Sequence, residues 1–299
     1  MTVLVLGDVI DDVLVRPLES VTADSDTRAA IRRRPGGSAA NQAAWLGYLG
    51  GQVSFVGRVG ATDVERHRRD LSLYGVDARL VADGGSTGTI VVLLGVADQR
   101  TMYTDRGASL RLSRVDVPDE LLRNARHLHL TGYSFFEEST RAQTLEILAA
   151  ARSYGIPFSV DPSSVAFLDE VGADFVGWTS GAVACFPNLD EARCLTGLDS
   201  ASAAAAALTA DYPVVAVTMG SAGVVVAAAG GEPVTLPAPQ VECVDPTGAG
   251  DAFCAGFLRR WLAGADPVTA AGAGSAAAAQ AIGQLGARPP TATPTPTPH

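Results

Sequence analysis

Short apolar runs alternate with longer segments of helical pattern along most of the 299-residue chain. Val3–Leu6 is a continuous apolar run, which is typical of a strand buried on both faces of a sheet. Similar runs predict strands at 53–56, 127–130, 157–160, 182–186 and 214–217. Helix-length segments lie between them, at about 38–49, 64–74, 139–153, 188–196 and 200–209. This alternation predicts an α/β fold with a mostly parallel sheet covered by helices.

Four strand-like segments break this alternation, because no crossover helix separates them. They lie at 9–15, where the first strand runs on beyond its expected length, at 27–34, and at 87–94 and 100–104, which predict a hairpin. We expect a small sheet that forms a lid over the carboxyl ends of the parallel strands, where open α/β sheets bind ligands. The predicted organisation is one domain over 1–288, with the lid at about 9–35 and 86–106, and a disordered Pro/Thr-rich tail at 289–299.

Charge and composition exclude several classes of partner. The formal net charge of −10 argues against nucleic acid, because binding a phosphate backbone needs a basic face. Apolar stretches are too short for a membrane span, and the first twelve residues indicate a buried strand rather than a signal peptide. The four cysteines show neither a CxxC pair nor a zinc-type spacing, which indicates buried thiols in a reducing cytoplasm.

All 22 basic residues are arginine, and the chain contains no lysine. A Walker A phosphate loop requires lysine, and so does every Schiff-base mechanism, so both are excluded. Phosphoryl chemistry in this chain would therefore depend on backbone amides, arginine and metal.

The segment Val241–Phe257 (VECVDPTGAGDAFCAGF) carries the strongest chemical signal. It predicts a turn, a Gly-Ala-Gly hinge and a helix with Asp251 in its first turn. The glycines leave backbone N–H groups uncovered, and a helix N-terminus carries partial positive charge, so the segment predicts an anion site. Asp251 would then act as a general base near a bound phosphate. The alternative is an ordinary helix start, where an acidic residue only complements the helix dipole.

Other motifs are interpreted as structural. Gly84–Gly88 matches GxSxG, but a strand pattern follows it where a nucleophile elbow requires a helix. Gly272–Ala277 fits the loose dinucleotide pattern inside an Ala-rich helical segment, which indicates close helix packing. His67, His127 and His129 are too scattered for a metal site, so core or surface positions are expected.

Four motifs follow one another along the chain: GGSAANQ at 36–42, NLDE at 188–191, VVAVTMGSAG at 214–223 and DPTGAGD at 245–251. Together they resemble the ribokinase-like (PfkB) family of carbohydrate and nucleoside kinases, from about residue 3 to about residue 290. The resemblance implies a ribokinase-like three-layer α/β/α domain with a mostly parallel central sheet and a small β-sheet lid. It also implies Mg²⁺-dependent transfer of the ATP γ-phosphoryl group to a hydroxyl of a small sugar or sugar derivative.

The resemblance assigns roles on the ATP side to particular residues. Asp251 would be the base that takes the proton of the acceptor hydroxyl, and the N–H groups of Gly248, Ala249 and Gly250 would stabilise the transferring phosphoryl group. Asn188 and Glu191 match an NxxE element that organises Mg²⁺ and the phosphates through water. The matching residues on the nucleotide side are Thr218, Gly220, Gly223 and Ser275.

The residues that the resemblance assigns to the acceptor are Asp12, Gly37, Asn41 and Arg106. The family register, a glycine followed five residues later by an aspartate, points from Gly7 to Asp12. Asp11 would lie on the opposite face of the strand, and we expect a solvated lid edge there. For Arg106 two positions stay open, a bridge between substrate and phosphate or the protein surface.

Two departures from the family pattern concern the substrate and a second cation. Ser38, the expected N-cap of its helix, stands where ribokinases proper often carry lysine, so ribose is not indicated. Asp245 and Thr247 match residues that help to bind K⁺ in potassium-activated members, but Pro290 stands where a serine would help.

The sequence leaves open a nucleoside kinase and a non-catalytic relative that binds sugar without turnover. Exposed strands on the small sheet are compatible with a homodimer through the lid.

Overall fold

The computed structural model of the protein describes residues 2–21, 23–94 and 100–291, apart from the side chain of residue 100. Of the tail predicted to be disordered, 289–299, the part from 292 onward lies outside the described residues. The described strands are β1 (Thr2–Leu6), β2 (Ile10–Pro17), β3 (Ala29–Gly36), β4 (Gln52–Gly60), β5 (Val76–Asp83), β6 (Thr87–Leu94), β7 (Arg100–Gly107), β8 (His127–Thr131), β9 (Phe158–Asp161), β10 (Ala184–Cys185), β11 (Val214–Thr218), β12 (Val224–Ala228) and β13 (Val234–Leu236). The described α-helices are α1 (Ser38–Tyr48), α2 (Val64–Ser72), α3 (Asp119–Asn124), α4 (Glu138–Ser153), α5 (Val165–Val171), α6 (Asp174–Trp178), α7 (Leu189–Thr196), α8 (Ala201–Leu208), α9 (Ala249–Trp261) and α10 (Pro267–Ile282).

Nine strands form a large sheet in the order β13-β12-β11-β10-β9-β8-β1-β4-β5. All neighbours from β11 to β5 are parallel, whereas β12 and β13 are antiparallel additions at one edge. The central strand β1 pairs with β4 on one side and β8 on the other, so that Val5 lies between Phe55 and His129. The continuous apolar run at the N-terminus therefore becomes a strand buried on both faces, as predicted.

Residues of β1 alternate between two hydrophobic cores, one on each face of the large sheet. Val3 and Val5 belong to the core that includes α1, α9 and α10, whereas Leu4 and Leu6 belong to the core that includes α4, α5 and α8. Since successive strand residues point to opposite faces, this division means that helices cover the sheet on both sides. The predicted three-layer α/β/α architecture is confirmed.

Small residues allow α9 and α10 to pack closely. A Cβ atom on Gly256 would lie 2.7 Å from the carbonyl oxygen of Ala273, and one on Gly274 would lie 2.8 Å from that of Phe253. Within the segment 272–277, Gly274 thus serves close helix packing, whereas a Cβ atom on Gly272 would have no neighbour within 4 Å.

Four strands form the small sheet, in the order β3-β2-β6-β7. β2 and β6 are parallel, and the other two pairs are antiparallel, including the predicted hairpin of β6 and β7. The segment 9–15 does not extend the first strand, because β1 ends at Leu6 and the chain turns at Gly7, whose φ is 146°. A Cβ atom there would lie 2.7 Å from that of Ala39, so the turn requires glycine.

The strands β5, β12 and β13 and the short helices α3, α5 and α6 were not among the predicted elements. In the described ranges, the helices are too short or too polar to cross a membrane.

Candidate active site

A pocket of about 250 Å³ opens where the carboxyl ends of the central strands meet the N-terminal ends of α1, α7 and α9. Its lining includes Ser38, Asp161, Glu191 and Asp251, which lie far apart in the sequence. This is the edge at which open parallel sheets bind ligands.

Asp251 lies in the first turn of α9 and is held by side chains of α1. Its Oδ1 accepts hydrogen bonds from Ser38 Oγ at 2.7 Å and Gln42 Nε2 at 3.2 Å, and its Oδ2 accepts one from Asn41 Nδ2 at 2.9 Å. Burial raises the pKa of Asp251 to about 6, although these three donors oppose the shift. The side chain is therefore an oriented carboxylate at neutral pH, with a basicity well above that of an ordinary aspartate.

The start of α9 presents uncovered backbone N–H groups beside this carboxylate. Gly248 has a left-handed conformation, with φ 80° and ψ 6°, and Ala249 donates its N–H to the carbonyl of Pro246 at 3.3 Å. In the described part of the chain, the N–H groups of Gly250 and Asp251 have no backbone acceptor. Together with the helix dipole they can bind an anion.

The N-terminus of α1 differs from the prediction that Ser38 caps it. Gly37 occupies the N-cap position, with φ 91°, and the hydroxyl of Ser38 is directed to Asp251 instead. Asp8 satisfies the helix end, because its two carboxylate oxygens accept from the N–H groups of Ser38 at 3.2 Å and Ala39 at 3.0 Å. A carboxylate from the loop after β1 thus replaces the local cap and frees Ser38 for the site.

The small sheet places Asp12 close enough to Asp8 and Asp251 for their charges to act on its carboxyl group. Its carboxylate lies against Gly36, where a Cβ atom would collide with it, so the glycine is needed at that position. Burial raises the pKa of Asp12 to about 7, and the nearby charge of Arg288 opposes the shift. None of the described residues donates a hydrogen bond to this carboxylate, which leaves it available to a ligand.

The expectation that Asp11 lies at a solvated edge is wrong. Asp11 is 9% exposed and forms a two-point ion pair with Arg66 at 2.8 and 2.6 Å. Since α2 packs against this face of the small sheet, Asp11 fastens β2 to the main body. Asp11 and Asp12 do lie on opposite faces, as predicted.

Arg106 is largely buried rather than a surface arginine. Its guanidinium lies 3.6 Å from the ring centroid of Tyr133, and its Nη1 lies 3.5 Å from Asp8 Oδ2. That Nη1 atom is buried and donates no hydrogen bond to any of the described residues. The group is a cation stacked at the wall of the cleft.

The predicted nucleotide-side residues line a second pocket of about 340 Å³. This pocket adjoins the first and shares Thr218, Ala249 and Gly250 with it. Gly220, Gly223 and Ser275 also line it, among mostly apolar neighbours. The two pockets therefore meet at the N-terminus of α9.

Two buried carboxylates face the first pocket. Asn188 and Glu191 form a capping box at α7, in which Asn188 Oδ1 accepts from the N–H of Glu191 at 2.9 Å and Glu191 Oε2 accepts from the N–H of Asn188 at 2.8 Å. Burial raises the pKa of Glu191 to about 7. Burial and the charge of Glu191 raise the pKa of Asp161 well above its usual range. Sequence reasoning missed Asp161; its position directly after the buried strand FSV was the available signal.

The C-terminal segment fastens the acceptor side of the cleft. Arg288 donates from Nη1 to the carbonyl of Ala40 at 2.6 Å and from Nη2 to that of Gly36 at 3.3 Å. Trp45 Nε1 donates to the carbonyl of Ala287 at 2.9 Å. Arg288 is 7% exposed, so this contact is part of the interior.

Comparison with known proteins agrees with the fold. The family profile described as "pfkB family carbohydrate kinase" matches residues 2–294. An ATP-dependent ribose-1-phosphate kinase from Halopiger xanaduensis is 32% identical over 96% of this chain and 93% of its own length, and a fructokinase from Klebsiella pneumoniae is 32% identical over 85% and 82%. The crystal structure of an adenosine kinase from Sinorhizobium meliloti superposes with a TM-score of 0.85 at 26% identity, covering 96% of this chain and 95% of that one.

The predicted family, fold and kinase activity are thereby confirmed. The alternative of a relative that binds sugar without turnover is not supported. The chain belongs to the pfkB family of carbohydrate kinases, and it is an ATP-dependent phosphotransferase acting on a hydroxyl of a small sugar or sugar derivative.

Proposed function

We propose that Asp251 is the general base of this kinase and that the acceptor is a small neutral sugar bound between the small sheet and α1. The observation that carries the proposal is the position of Asp251, which lies where the acceptor side, the anion site of α9 and the nucleotide pocket meet. A base must reach the acceptor hydroxyl while the γ-phosphoryl group is bound beside it, and this position satisfies both requirements.

The reaction would be an in-line displacement. The acceptor O–H proton passes to the carboxylate of Asp251, and the acceptor oxygen forms a bond to the γ-phosphorus. The bond between that phosphorus and the bridging oxygen breaks, and ADP leaves with the electron pair. The backbone at Gly248, Ala249 and Gly250 would lie along the transferring group, and the uncovered N–H groups of Gly250 and Asp251 would stabilise its negative charge.

Asp161 and Glu191 fit a Mg²⁺ ion that accompanies ATP. Both carboxylates are buried in the pocket wall, and neither forms an ion pair within the described residues. A divalent cation would compensate the cost of burying these carboxylates, which raises both pKa values, with ATP oxygens and water as its other ligands. When bound, Mg²⁺ neutralises charge on the phosphates. Asn188 would hold Glu191 in place through the capping box.

The nucleotide would occupy the second pocket. Thr218, Gly220 and Gly223 line it, and so does Ser275 on α10. Gly223 has a φ of 101°, and a Cβ atom there would collide with the carbonyl of Leu236, so this turn requires glycine. The mostly apolar wall suits an adenine ring.

The acceptor side favours a neutral sugar over a sugar phosphate. Three carboxylates, Asp12, Asp8 and Asp251, lie there against two arginines, Arg106 from the lid and Arg288 from the C-terminal segment. Next to Gly37, Asp12 would accept hydrogen bonds from the sugar hydroxyls, and Asn41 would donate hydrogen bonds to them. Arg106 would cover the sugar. The names of the relatives include both a sugar phosphate kinase and a free-sugar kinase, and the charge balance of this site supports the second.

A nucleoside acceptor would need an aromatic surface for its base. Tyr133, Phe186 and Phe253 line the first pocket, but Arg106 already stacks on the ring of Tyr133, and the two phenylalanines are buried in its wall. Trp45 and Phe135 are completely buried in the cores. This arrangement supports a sugar more than a nucleoside.

Potassium activation is a separate proposal. Asp245 and Thr247 would contribute to a monovalent-cation site in the loop before α9, where Asp245 accepts hydrogen bonds from Thr247 Oγ1 at 2.6 Å and the N–H of Gly286 at 3.0 Å. Rates in potassium, sodium and choline chloride at constant ionic strength test it; equal rates would contradict it.

The small sheet would act as a lid and also supply a homodimer interface. Leu18, Ile31, Met102 and Tyr103 on its outer part are 59 to 66% exposed, which is unusual for large apolar side chains. Analytical ultracentrifugation tests the dimer, and Ile31→Glu is expected to convert it to a monomer.

The four cysteines are free thiols, which supports the predicted cytoplasmic location.

ADP release across matched panels tests the acceptor proposal. We expect turnover with at least one neutral hexose, pentose or polyol, and rates at least ten times lower with the corresponding sugar phosphates and with nucleosides. A sugar phosphate or nucleoside as the best acceptor would contradict it.

A further inference from the structure

A chain of buried polar side chains leads from the middle of the large sheet to Asp251. His127 Nε2 lies 2.7 Å from Ser159 Oγ, which lies 2.7 Å from His129 Nδ1. His129 Nε2 lies 2.5 Å from Gln42 Oε1, and Gln42 Nε2 reaches Asp161 Oδ2 at 2.6 Å as well as Asp251 Oδ1. Sequence reasoning missed this chain, because its members come from α1, β8 and β9.

Chemistry fixes the direction of every hydrogen bond in the chain. A carboxylate only accepts, so the amide nitrogen of Gln42 must face Asp251 and its oxygen must face His129. That oxygen only accepts as well, so His129 carries its proton on Nε2. In the neutral ring Nδ1 then accepts from Ser159, and Ser159 accepts from His127 Nε2. Burial lowers the pKa of His129 to about 3, which keeps the ring neutral.

We infer that His129 and Gln42 are positioning residues for the phosphoryl transfer: His129 fixes the orientation of the Gln42 amide, and Gln42 holds the carboxylates of Asp251 and Asp161 in their relative places. This inference rests on the proposed role of Asp251 as the base. Without the N–H of His129, the Gln42 amide could rotate and present its oxygen to two carboxylates, which would repel them.

The site has the geometry that such a role requires. Ser38, Asn41 and Gln42 stand at i, i+3 and i+4 of α1, so they share one face and all three donate to Asp251. Ser38 and Asn41 donate to Asp251 but not to Asp161, whereas Gln42 donates to both carboxylates. Gln42 is therefore the residue that couples the base to the proposed metal side.

A purely structural role would not require this chain. His129 and Gln42 are 0% exposed, and burying polar groups costs free energy unless each is paired. The ring of His129 lies 6.0 Å from that of Phe186, and its partner in β1 is Val5, both of which belong to the hydrophobic core on this face, so an apolar residue at 129 would suit the core. The polar pair therefore has a purpose beyond packing.

A double-mutant cycle on kcat tests the inference. We expect His129→Phe and Gln42→Met each to lower kcat by roughly 10- to 100-fold, since small displacements of catalytic groups have effects of this size. KM for ATP and for the sugar should change by less than about threefold. The double variant should equal the Gln42→Met variant, because His129 acts only through Gln42. Effects on kcat that multiply in the double variant would overturn the inference.

Two further variants separate positioning from folding. His129→Gln keeps a donor directed at Gln42 and should restore kcat to within about threefold of the wild type. His127→Phe removes an equally buried ring of the same strand that does not touch Gln42, and its kcat should stay within about threefold. Equal losses in His127→Phe and His129→Phe would overturn the inference.

Folding and the role of the base are checked separately. If His129→Phe does not fold, Gln42→Met decides, and a kcat within about twofold of the wild type would overturn the inference. Full activity in Asp251→Asn would refute the proposed role of Asp251 as the base. If Asp251→Asn is inactive but the effects of His129→Phe and Gln42→Met on kcat multiply in the double variant, only the role of the positioning pair is refuted.

Discussion

The two sheets of this kinase differ in how their strands meet solvent. In the large sheet the central strands are covered on both faces, and every residue of β8 is buried. In the small sheet β3 is mostly exposed, and only its last residue, Gly36, is buried. One sheet is the interior of a three-layer domain, and the other is a thin extension that touches the body at one end.

This difference separates two tasks of the site. Elements attached to the large sheet carry Asp251, Asp161 and the second pocket, so the proposed phosphoryl-transfer site stands on a close-packed frame. The small sheet supplies Asp12 and Arg106 from its inner end, and these face the acceptor side. Substitutions in the body should therefore change the rate of phosphoryl transfer, and substitutions in the small sheet should change the recognition of the acceptor.

The largest effect is expected at Asp251. Asp251→Asn keeps the size of the side chain but cannot take a proton, so kcat should fall by roughly 10²- to 10⁴-fold in an ADP-release assay. ATP affinity, measured by calorimetry, should stay within about threefold. Asp190→Asn, at an exposed carboxylate of α7, is the control and should leave kcat unchanged. Comparable losses in both variants would contradict a specific role of Asp251.

The pH dependence should distinguish the two carboxylates. Both act when ionised, and their pKa values are raised to about 6 at Asp251 and about 7 at Asp12, so activity is lost as pH falls. With both required, kcat/KM for the sugar should approach a fall of about a hundredfold per pH unit below 6. In Asp12→Asn the fall should be about tenfold per unit, with its midpoint near pH 6. If kcat/KM falls with pH as steeply in Asp12→Asn as in the wild type, the ionisation of Asp12 does not control the reaction.

The two faces of β2 should respond differently to substitution. Asp12→Asn should raise KM for the sugar by roughly 10- to 100-fold, as expected for the loss of a charged hydrogen-bond acceptor, with little change in KM for ATP. Asp11→Asn weakens the ion pair with Arg66 and should lower Tm without changing KM for the sugar. The reverse pattern would contradict the assignment of the faces.

The packing of the body can be tested without touching the chemistry. Gly256→Ala places a methyl group against the backbone of α10 and should cost about 1–3 kcal/mol in free energy of unfolding, measured by urea denaturation. Gly272→Ala is the matched control, because a Cβ atom there has no neighbour within 4 Å. It should be neutral or stabilising by about 0.4–1 kcal/mol. A loss of similar size at both positions would contradict close packing at Gly256.

Patterns local in sequence predicted much of this molecule. Continuous apolar runs indicate strands such as β1 and β8 because both faces are buried, and glycines before Asp251 indicate the start of α9. The edge strand β5 was missed because its buried residues alternate with exposed ones over a polar sequence, VDARLVAD.

Contacts between distant segments were not predictable in the same way. Ser38 seemed a helix cap until Asp8, thirty residues away, was seen to satisfy that helix end. Asp11 seemed solvated because nothing local to β2 shows that Arg66 of α2 lies against it. Gln42 had no signal of its own, since its partners lie 87 to 209 residues further along the chain.

The bonds from Arg288 to the carbonyls of Gly36 and Ala40 have a consequence for biosynthesis. A nascent chain that has grown to residue 283 already contains β2, α1 and Asp251, yet it lacks the group that fastens the turn leading into α1. The two hydrogen bonds that fasten this turn can therefore form only after residue 288 has left the ribosome exit tunnel.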